Sequence, residues 1–314
     1  MLAMAGAHVH SHHHGHGHAH AASLPDFGRA FAMGIGLNTA LVAGQAIAGI
    51  LAHSTALLAD AGHNFGDVLG LVLAWWASRL ARSAPTARYT YGLRSASILA
   101  AVTNAAVLLV TMGMLAWEAI SRLAEPHPVS GWTVIVVAGI GVVVNAISAW
   151  PFLAGRQHDL NVRAAFQHLA ADAGVSLGVV VAGIAMLLTG HMWIDPVVGL
   201  LIVGAVIWST WNLLRESLNL ALHAAPSHVN VRAVYEYLSS LPPVSDVHDL
   251  HVWAMSTTET ALTAHLVARP GESTDGLLTR VTEALRSRFQ IQHVTIQIET
   301  PESIPMTFRS RDSG

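Results

Sequence analysis

The sequence contains no cysteine and no lysine, and charged residues of all kinds make up only 11% of it. Without cysteine the chain forms no disulfide and no thiolate metal site, so any metal ion must be bound by imidazole, carboxylate or carbonyl groups. All 16 basic residues are arginine, the net charge is −3 and no basic cluster is present, which argues against a nucleic acid as partner. With 53% hydrophobic residues and about half the charge of an ordinary soluble domain, a wholly soluble protein is excluded.

Apolar residues are concentrated in six stretches between residues 29 and 215. Each stretch reaches the length of about 20 predominantly apolar residues that crossing a bilayer requires. The stretches cover residues 29–52, 56–80, 93–118, 132–155, 162–189 and 192–214. We therefore predict a membrane all-α domain, a six-helix transmembrane bundle over residues 28–218, with both termini on one side because the number of spans is even.

Arginines in the short loops predict the orientation of this domain. The loops on one side carry Arg79, Arg82, Arg88, Arg94, Arg156 and Arg163, whereas the loops on the opposite side carry only Arg122. Cytoplasmic loops are enriched in basic residues. Both termini are therefore expected to be cytoplasmic in a multi-pass protein of the cell (inner) membrane.

Residues 225–300 have the composition of an ordinary globular domain. Helices are predicted at 228–240 and 274–288, and alternating apolar residues predict strands at 247–256, 260–268 and 294–299. The order αββαβ is typical of a small α+β domain with its helices on one face of the sheet. Residues 301–314 are expected to form a disordered tail.

Histidine is unusually abundant, with 20 copies, and the first 27 residues contain eight of them: His8, His10, His12, His13, His14, His16, His18 and His20. This segment has no apolar periodicity and is expected to be a disordered cytoplasmic tail. Its neutral imidazoles suit weak, multivalent collection of metal ions. A cloning tag or low-complexity drift is the alternative explanation.

Two of the predicted spans carry the same ionisable pair. The second span contains His63 and Asp67, and the fifth contains His168 and Asp172, both as His-x-x-x-Asp. Residues four apart lie on one face of a helix, so each helix offers one imidazole and one carboxylate to a shared point. A single pair would be explained by an interhelical hydrogen bond, but two copies predict a four-ligand metal site.

The donor set of this site indicates the ion. Two nitrogens and two oxygens suit tetrahedral zinc, whereas magnesium and calcium prefer six or more oxygens. Cadmium and cobalt accept the same donors, so selectivity among the three stays open. Without metal, two poorly solvated carboxylates repel each other and favour proton uptake, and ligation requires deprotonation. Metal and protons are therefore expected to compete for one site, as antiport requires.

Other polar residues in the spans have less specific interpretations. Asp60 precedes His63 by three residues and is expected either to accept its second ring N–H, fixing the tautomer, or to make a polar contact at the mouth of the site. Asn38, Asn104 and Asn145 are expected to hold helices together. His53 and His191 fall in loops on the far side, as surface residues or exit ligands.

Four segments together resemble the zinc-exporting branch of the cation diffusion facilitator family. They are L-L-A-D-A-G-H-N-F-G-D, Y-T-Y-G-L-R-S-A-S-I-L-A-A, L-N-V-R-A-A-F-Q-H-L-A-A-D and V-H-D-L-H-V-W, and the resemblance covers about residues 28–300. It implies a six-span homodimeric metal/proton antiporter that exports zinc by alternating access, with the two His-Asp pairs as transport site. Relatives often have Glu where Ser97 stands, so any role of that Glu is not transferred.

The resemblance also implies that zinc binds to a metallochaperone-like cytoplasmic domain that helps the dimer to form. Its candidate ligands are His248, His265, His293 and Glu299. His251 is less suited, because residues three apart on a strand point to opposite faces unless a bulge intervenes. His223 and His228 are weaker candidates. No prosthetic group is expected, only Zn²⁺ as transported and regulatory ion.

Two other functions are alternatives to the export of Zn²⁺ in exchange for H⁺. An intramembrane metalloenzyme needs an open coordination position and a general base, and the sequence has no H-E-x-x-H motif. A membrane-tethered metal sensor has no use for paired His-Asp motifs at bilayer depth. We therefore predict a transporter, not an enzyme.

Overall fold

The structure is a computed structural model that describes residues 27–125, 127–153, 160–269 and 274–300. Six long helices come first: α1 (Phe27–Leu51), α2 (Thr55–Ala81), α3 (Ala96–Ala124), α4 (Gly131–Ala149), α5 (Leu160–Thr189) and α6 (Ile194–Ala221). A short 3₁₀ turn, Trp150–Phe152, follows α4. The C-terminal part consists of α7 (Val231–Ser239), β1 (Val244–Ala254), β2 (Thr260–Ala268), α8 (Thr274–Phe289) and β3 (His293–Glu299).

Four of the described helices are long and apolar enough to cross a membrane. They cover Ala96–Ala124, Gly131–Phe152, Phe166–Thr189 and Ile194–Ala221, whereas the apolar part of α1, Gly36–Leu51, is shorter. Many large apolar side chains on these helices point outward, such as Trp208, which is 78% exposed. An apolar surface of this extent is stable in lipid and unfavourable in water. The chain is therefore a membrane protein.

The helices pack as neighbours in a bundle. α3 packs against α2 and α6, α4 packs against α5, and α1 lies against α2 and α4. Glycine allows the close approach of α2 to α3, because a Cβ on Gly66 would lie 2.6 Å from Leu108 Cδ1. Small residues at such contacts are characteristic of membrane helices, where close packing replaces the hydrophobic effect.

The first turn of α2 is fixed by a side chain from α6. The Asp195 carboxylate accepts hydrogen bonds from Ser54 Oγ at 2.5 Å, from the Thr55 amide at 2.6 Å and from Thr55 Oγ1 at 2.8 Å. Ser54 Oγ also accepts from the Leu57 amide as a helix cap. Orphan amides at a helix start need such acceptors where water is excluded, so this contact sets the position of α2 beside α6.

The C-terminal domain contains a three-stranded sheet in the order β1-β2-β3. β1 and β2 are antiparallel, and β2 and β3 are parallel. α7 and α8 pack on the sheet over a core that includes Leu238, Leu266 and Leu285. β1 has an irregularity between His248 and His251, where Asp249 has a φ of +53°.

One end of the bundle contacts the C-terminal domain. Arg94, just before α3, forms an ion pair with Glu259 in the β1–β2 turn. Ser95 Oγ donates to the Met255 carbonyl at 3.2 Å. The ends of α2 and α6 nearest this domain are therefore opposite to the end where Asp195 contacts Thr55.

Candidate metal sites

The two His-x-x-x-Asp pairs meet between α2 and α5. His63 lies eight residues after the start of α2, about 12 Å along the helix axis at 1.5 Å per residue. The helical spacing of four places His63 and Asp67 on one side of α2, and His168 and Asp172 on one side of α5. We call these four residues the quartet.

Each imidazole of the quartet lies close to both carboxylates. His63 Nε2 is 3.3 Å from Asp172 Oδ1 and 3.8 Å from Asp67 Oδ2. His168 Nε2 is 3.5 Å from Asp67 Oδ2 and 3.7 Å from Asp172 Oδ2. The two imidazole rings are 6.4 Å apart and nearly perpendicular. One donor atom each from His63, Asp67 and Asp172 all lie within 4.8 Å of one another, and His168 approaches this group through the two carboxylates.

The separations between imidazole nitrogens and carboxylate oxygens in the quartet can be compared with those of a tetrahedral zinc site, although among the described residues only His63, Asp67 and Asp172 supply donor atoms that all lie within 4.8 Å of one another. With zinc–ligand bonds of about 2.0–2.2 Å, the ligand atoms of a tetrahedron are about 3.3–3.6 Å apart. Three of the four His–Asp separations fall within or close to this range. Two carboxylates also balance the charge of a divalent cation, which lowers the cost of holding it away from water.

Access to the quartet differs between its members. The Asp172 side chain is only 4% exposed, whereas the His168 side chain is 50% exposed. His168 is also the quartet residue nearest to the first turns of α5. His168 is therefore the most exposed member of the quartet.

The sequence suggested two interpretations of Asp60, a bond to the second ring nitrogen of His63 or a polar contact at the mouth of the site. The bond to His63 is not found among the described contacts. The Asp60 carboxylate instead accepts from Gln45 Nε2 on α1 at 2.6 Å and from Ser176 Oγ on α5 at 2.9 Å. His63 Nδ1 is buried and has no hydrogen-bond partner among the described residues. The hydrogen bonds of Asp60 are thus made to side chains on α1 and α5.

The three predicted helix-linking asparagines also differ from expectation. Asn145 is fully buried, yet neither of its side-chain polar atoms has a hydrogen-bond partner in the described part of the chain. The side-chain oxygens of Asn38 and Asn104 are likewise buried without a described partner. Among the described residues, no hydrogen bond to the side-chain oxygen of these asparagines links one helix to another.

In the C-terminal domain, three of the four predicted ligands come together. Glu299 Oε2 is 3.1 Å from His248 Nε2, and Glu299 Oε1 is 2.9 Å from His265 Nδ1. His248 and His265 are paired across β1 and β2, and their rings are 5.2 Å apart. Glu299 reaches them from the end of β3, which pairs with the end of β2.

His251 and Asp249 adjoin this cluster because of the irregularity in β1. The left-handed backbone at Asp249 turns its carboxylate toward both histidines, 3.0 Å from His251 Nε2 and 3.7 Å from His265 Nε2. Asp249 was not among the predicted ligands. The only signal for it was its place between two histidines in V-H-D-L-H-V-W, since a bulge is not encoded in strand alternation.

His293 does not join these residues, which corrects the proposed set of four. It pairs with Ala261 at the opposite end of β3 from Glu299, six residues or about 20 Å away. Its Nε2 lies 2.7 Å from Arg94 Nη1 and 4.0 Å from Glu259 Oε2. His293 is therefore part of the contact with the membrane helices.

The remaining candidate histidines lie outside both clusters. His53 is in the turn between α1 and α2, where its carbonyl accepts from Arg122, and His191 stacks near Trp193 in the turn before α6. His223 follows α6 with a φ of +62°, and His228 precedes α7. The N-terminal histidines lie outside the described residues.

Comparison with known proteins identifies the family. Residues 32–220 match the model of the cation efflux transmembrane domain, and residues 226–301 match the model of the cation efflux protein cytoplasmic domain. The chain belongs to the cation efflux family. This confirms the resemblance found in the sequence, because cation efflux proteins are the cation diffusion facilitators. Members of this family are transporters, not enzymes.

Relatives of this cation efflux protein match most of its length. A zinc transporter, ZitB of Pectobacterium atrosepticum, is 36% identical over 84% of this chain and 82% of its own. A cadmium, cobalt and zinc/H⁺–K⁺ antiporter of Bacillus subtilis is 31% identical over 82% of this chain and 84% of its own. A solved metal-bound C-terminal domain of the CzcD transporter of Cupriavidus metallidurans is 33% identical, with a TM-score of 0.22, over 23% of this chain and 99% of its own.

Ser97 has contacts with both the loop before α3 and the C-terminal domain. Its hydroxyl accepts from the Thr257 amide at 3.1 Å and donates to the Arg94 carbonyl at 3.1 Å. Thr257 lies in the β1–β2 turn. Ser97 thus takes part in the contact between the membrane helices and the cytoplasmic domain.

Proposed function

We propose that this protein exports Zn²⁺ from the cytoplasm in exchange for H⁺, with His63, Asp67, His168 and Asp172 as the ligands of the transported ion. The observation that carries the proposal is that both imidazoles lie within 4 Å of both carboxylates, although the two pairs are about a hundred residues apart. Cd²⁺ and Co²⁺ suit the same donors and are alternative substrates.

In this proposal all six long helices cross the membrane. α2 is less apolar than its neighbours because it carries Asp60, His63, Asn64 and Asp67, yet it packs along α3 and α6, which are both apolar enough to span. Ionisable residues in a spanning helix face the bundle interior and mark ion pathways. Six spans place both termini on the side of the arginine-rich loops, the cytoplasm, in the inner membrane.

Competition between metal and protons drives the exchange. Zinc arrives from the cytoplasm past His168 and displaces protons from the quartet, since imidazole and carboxylate bind metal only when deprotonated. After the bundle opens outward, protons from outside displace the ion, and their return inward resets the site. The name of the Bacillus subtilis relative, an antiporter that uses H⁺, supports this coupling.

The cytoplasmic domain binds a second, regulatory zinc in the same proposal. Its ligands are His248, His265 and Glu299, with Asp249 as the added carboxylate. Residues 226–301 match the family's cytoplasmic domain, a dimerisation module, so the functional unit is a homodimer.

Zinc flux into everted membrane vesicles tests the transport proposal. His63→Ala and Asp172→Ala each remove one ligand and are expected to abolish zinc uptake driven by an imposed pH gradient. His127→Ala and Asp246→Ala are matched controls, because both residues are exposed and outside the quartet. Undiminished flux in both quartet variants contradicts the site, and absence of flux in the unmodified protein contradicts the function.

The same vesicles separate a transporter from a membrane-tethered sensor. A sensor binds zinc in its cytoplasmic domain without moving it, so the imposed pH gradient produces no uptake. Uptake that persists when Glu299 is replaced by Gln excludes the sensor, because the signalling site is then impaired while transport continues.

A further inference from the structure

A second group of polar side chains lies one helical turn beyond the quartet, on the side away from the cytoplasmic domain. It consists of Gln45, Asp60, Asn64 and Ser176, and we call it the Asp60 cluster. None of the four is more than 2% exposed. Asp60 precedes His63 by three residues, and Ser176 follows Asp172 by four, so the cluster adjoins the quartet on both helices.

The Asp60 carboxylate joins three helices. Its Oδ2 accepts from Gln45 Nε2 on α1 at 2.6 Å and from Ser176 Oγ on α5 at 2.9 Å. Asn64 Nδ2 completes the cluster, 3.5 Å from Asp60 Oδ1 and 3.3 Å from Gln45 Oε1. Hydrogen bonds to a charged group are stronger than neutral ones, and more so away from water.

A fourth helix closes the cluster from behind. A Cβ on Gly141 of α4 would lie 3.0 Å from both Gln45 Nε2 and Ser176 Oγ. Glycine at this position therefore leaves the two donors the room they need to reach Asp60.

Few other contacts hold α2 and α5 together. α5 packs chiefly on α4, and α2 packs on α1 and α3. The 2.9 Å bond between Asp60 and Ser176 lies one turn from the 3.3 Å approach of His63 to Asp172. The separation of the two helices at the quartet thus depends on this bond.

We propose that Asp60 and Ser176 are positioning residues that set the size of the quartet and thereby favour Zn²⁺ over the larger Cd²⁺. Neither side chain touches the ion. The bond between Asp60 and Ser176 resists separation of α2 and α5 beside the quartet, and an ion that needs longer bonds to its ligands must separate the two helices further than a smaller ion does. This inference rests on the proposed transport of divalent metal by the quartet.

Ser176→Ala is the sharpest test, because it removes the bond between α2 and α5 and leaves Asp60 paired with Gln45. The full-length protein is reconstituted into liposomes, and kcat and KM are measured separately for Zn²⁺ and Cd²⁺. We expect the ratio of kcat/KM for zinc to that for cadmium to fall roughly tenfold, equivalent to about 1.4 kcal/mol. The change is expected mainly as a higher KM for zinc, since the ligands themselves remain.

Ser209→Ala is the matched control, because Ser209 is on α6 and its hydroxyl donates only to the Val206 carbonyl of its own helix. Asp60→Asn keeps an acceptor for Ser176 and is expected to retain more of the zinc preference than Asp60→Ala. Ser176→Ala stays informative where Asp60→Ala fails to fold, because a lost hydroxyl leaves the packing nearly unchanged.

The outcomes separate the inference from the proposed function. A fall in zinc preference in Ser176→Ala but not in Ser209→Ala supports the positioning role. Equal losses for both metals, or an unchanged ratio, overturn it while transport stands. Absence of zinc transport in the unmodified protein overturns the proposed function itself.

Discussion

The contact of Asp195 with the start of α2 predicts a large loss of stability when it is removed. Asp195 is fully buried, and its two oxygens accept from Ser54 Oγ, the Thr55 amide and Thr55 Oγ1. A hydrogen bond to a charged group contributes about 1.5–3 kcal/mol, and donors left buried without an acceptor add a penalty. Because such terms are not additive, we expect Asp195→Ala to cost about 4 kcal/mol, near the low end of the sum for three bonds.

Thermal unfolding in detergent measures this loss. At about 2–4 °C for each kcal/mol in a chain of this size, the apparent Tm of Asp195→Ala is expected to fall by roughly 10 °C. Asp195→Asn keeps one oxygen for Thr55, and its amide donates to Ser54 Oγ, so its Tm is expected to fall by less than half as much. The exposed Asp246 gives the matched control, Asp246→Ala. A fall in Tm no larger than that of the control refutes the anchoring role of Asp195.

Three further results are expected. Gly66→Ala places a methyl group against Leu108 and is expected to destabilise the bundle by about 1–3 kcal/mol. The added substitution Leu108→Ala should restore part of this loss. An unchanged Tm in Gly66→Ala contradicts the close packing of α2 and α3. Glu299→Gln removes the carboxylate between His248 and His265, so calorimetric titration of the full-length protein should lose one zinc site while the other persists; two intact sites contradict the assignment. Zinc affinity of the quartet should fall as the pH is lowered because protons compete for the ligands, and an affinity that is constant between pH 5 and 8, about the range over which histidine titrates, contradicts proton coupling.

The spacing of the quartet was predictable because it depends on local helix geometry. Four residues make about one turn, so the two His-x-x-x-Asp motifs had to present their side chains in pairs wherever α2 and α5 met. Hydropathy likewise located six long helices, although some of their ends differ from the predicted ones by six or seven residues. The predicted second span, 56–80, corresponds to the helix at Thr55–Ala81. The alternation of apolar residues gave 260–268, the bounds of β2.

Features that depend on register and rotation were not predictable. The sequence indicated His293 and Glu299 equally as zinc ligands. The parallel pairing of β3 with β2 places them at opposite ends of the strand. The position of the Asp249 carboxylate depends on a bulge in β1, and the contacts of Asp60 depend on the rotation of α2 toward α1 and α5. In each case the position is decided by packing between elements distant in the chain, which a single sequence does not specify.

X-ray absorption at the zinc edge of metal-loaded protein examines the quartet most directly. The measurement uses the double variant His248→Ala, Glu299→Gln, in which the cytoplasmic cluster is disabled and the quartet holds the zinc. Four light-atom ligands at about 2.0–2.2 Å, two of them with the scattering signature of imidazole, are expected. A spectrum with six oxygen ligands and no imidazole, or protein that binds no zinc, contradicts a shared site formed by α2 and α5.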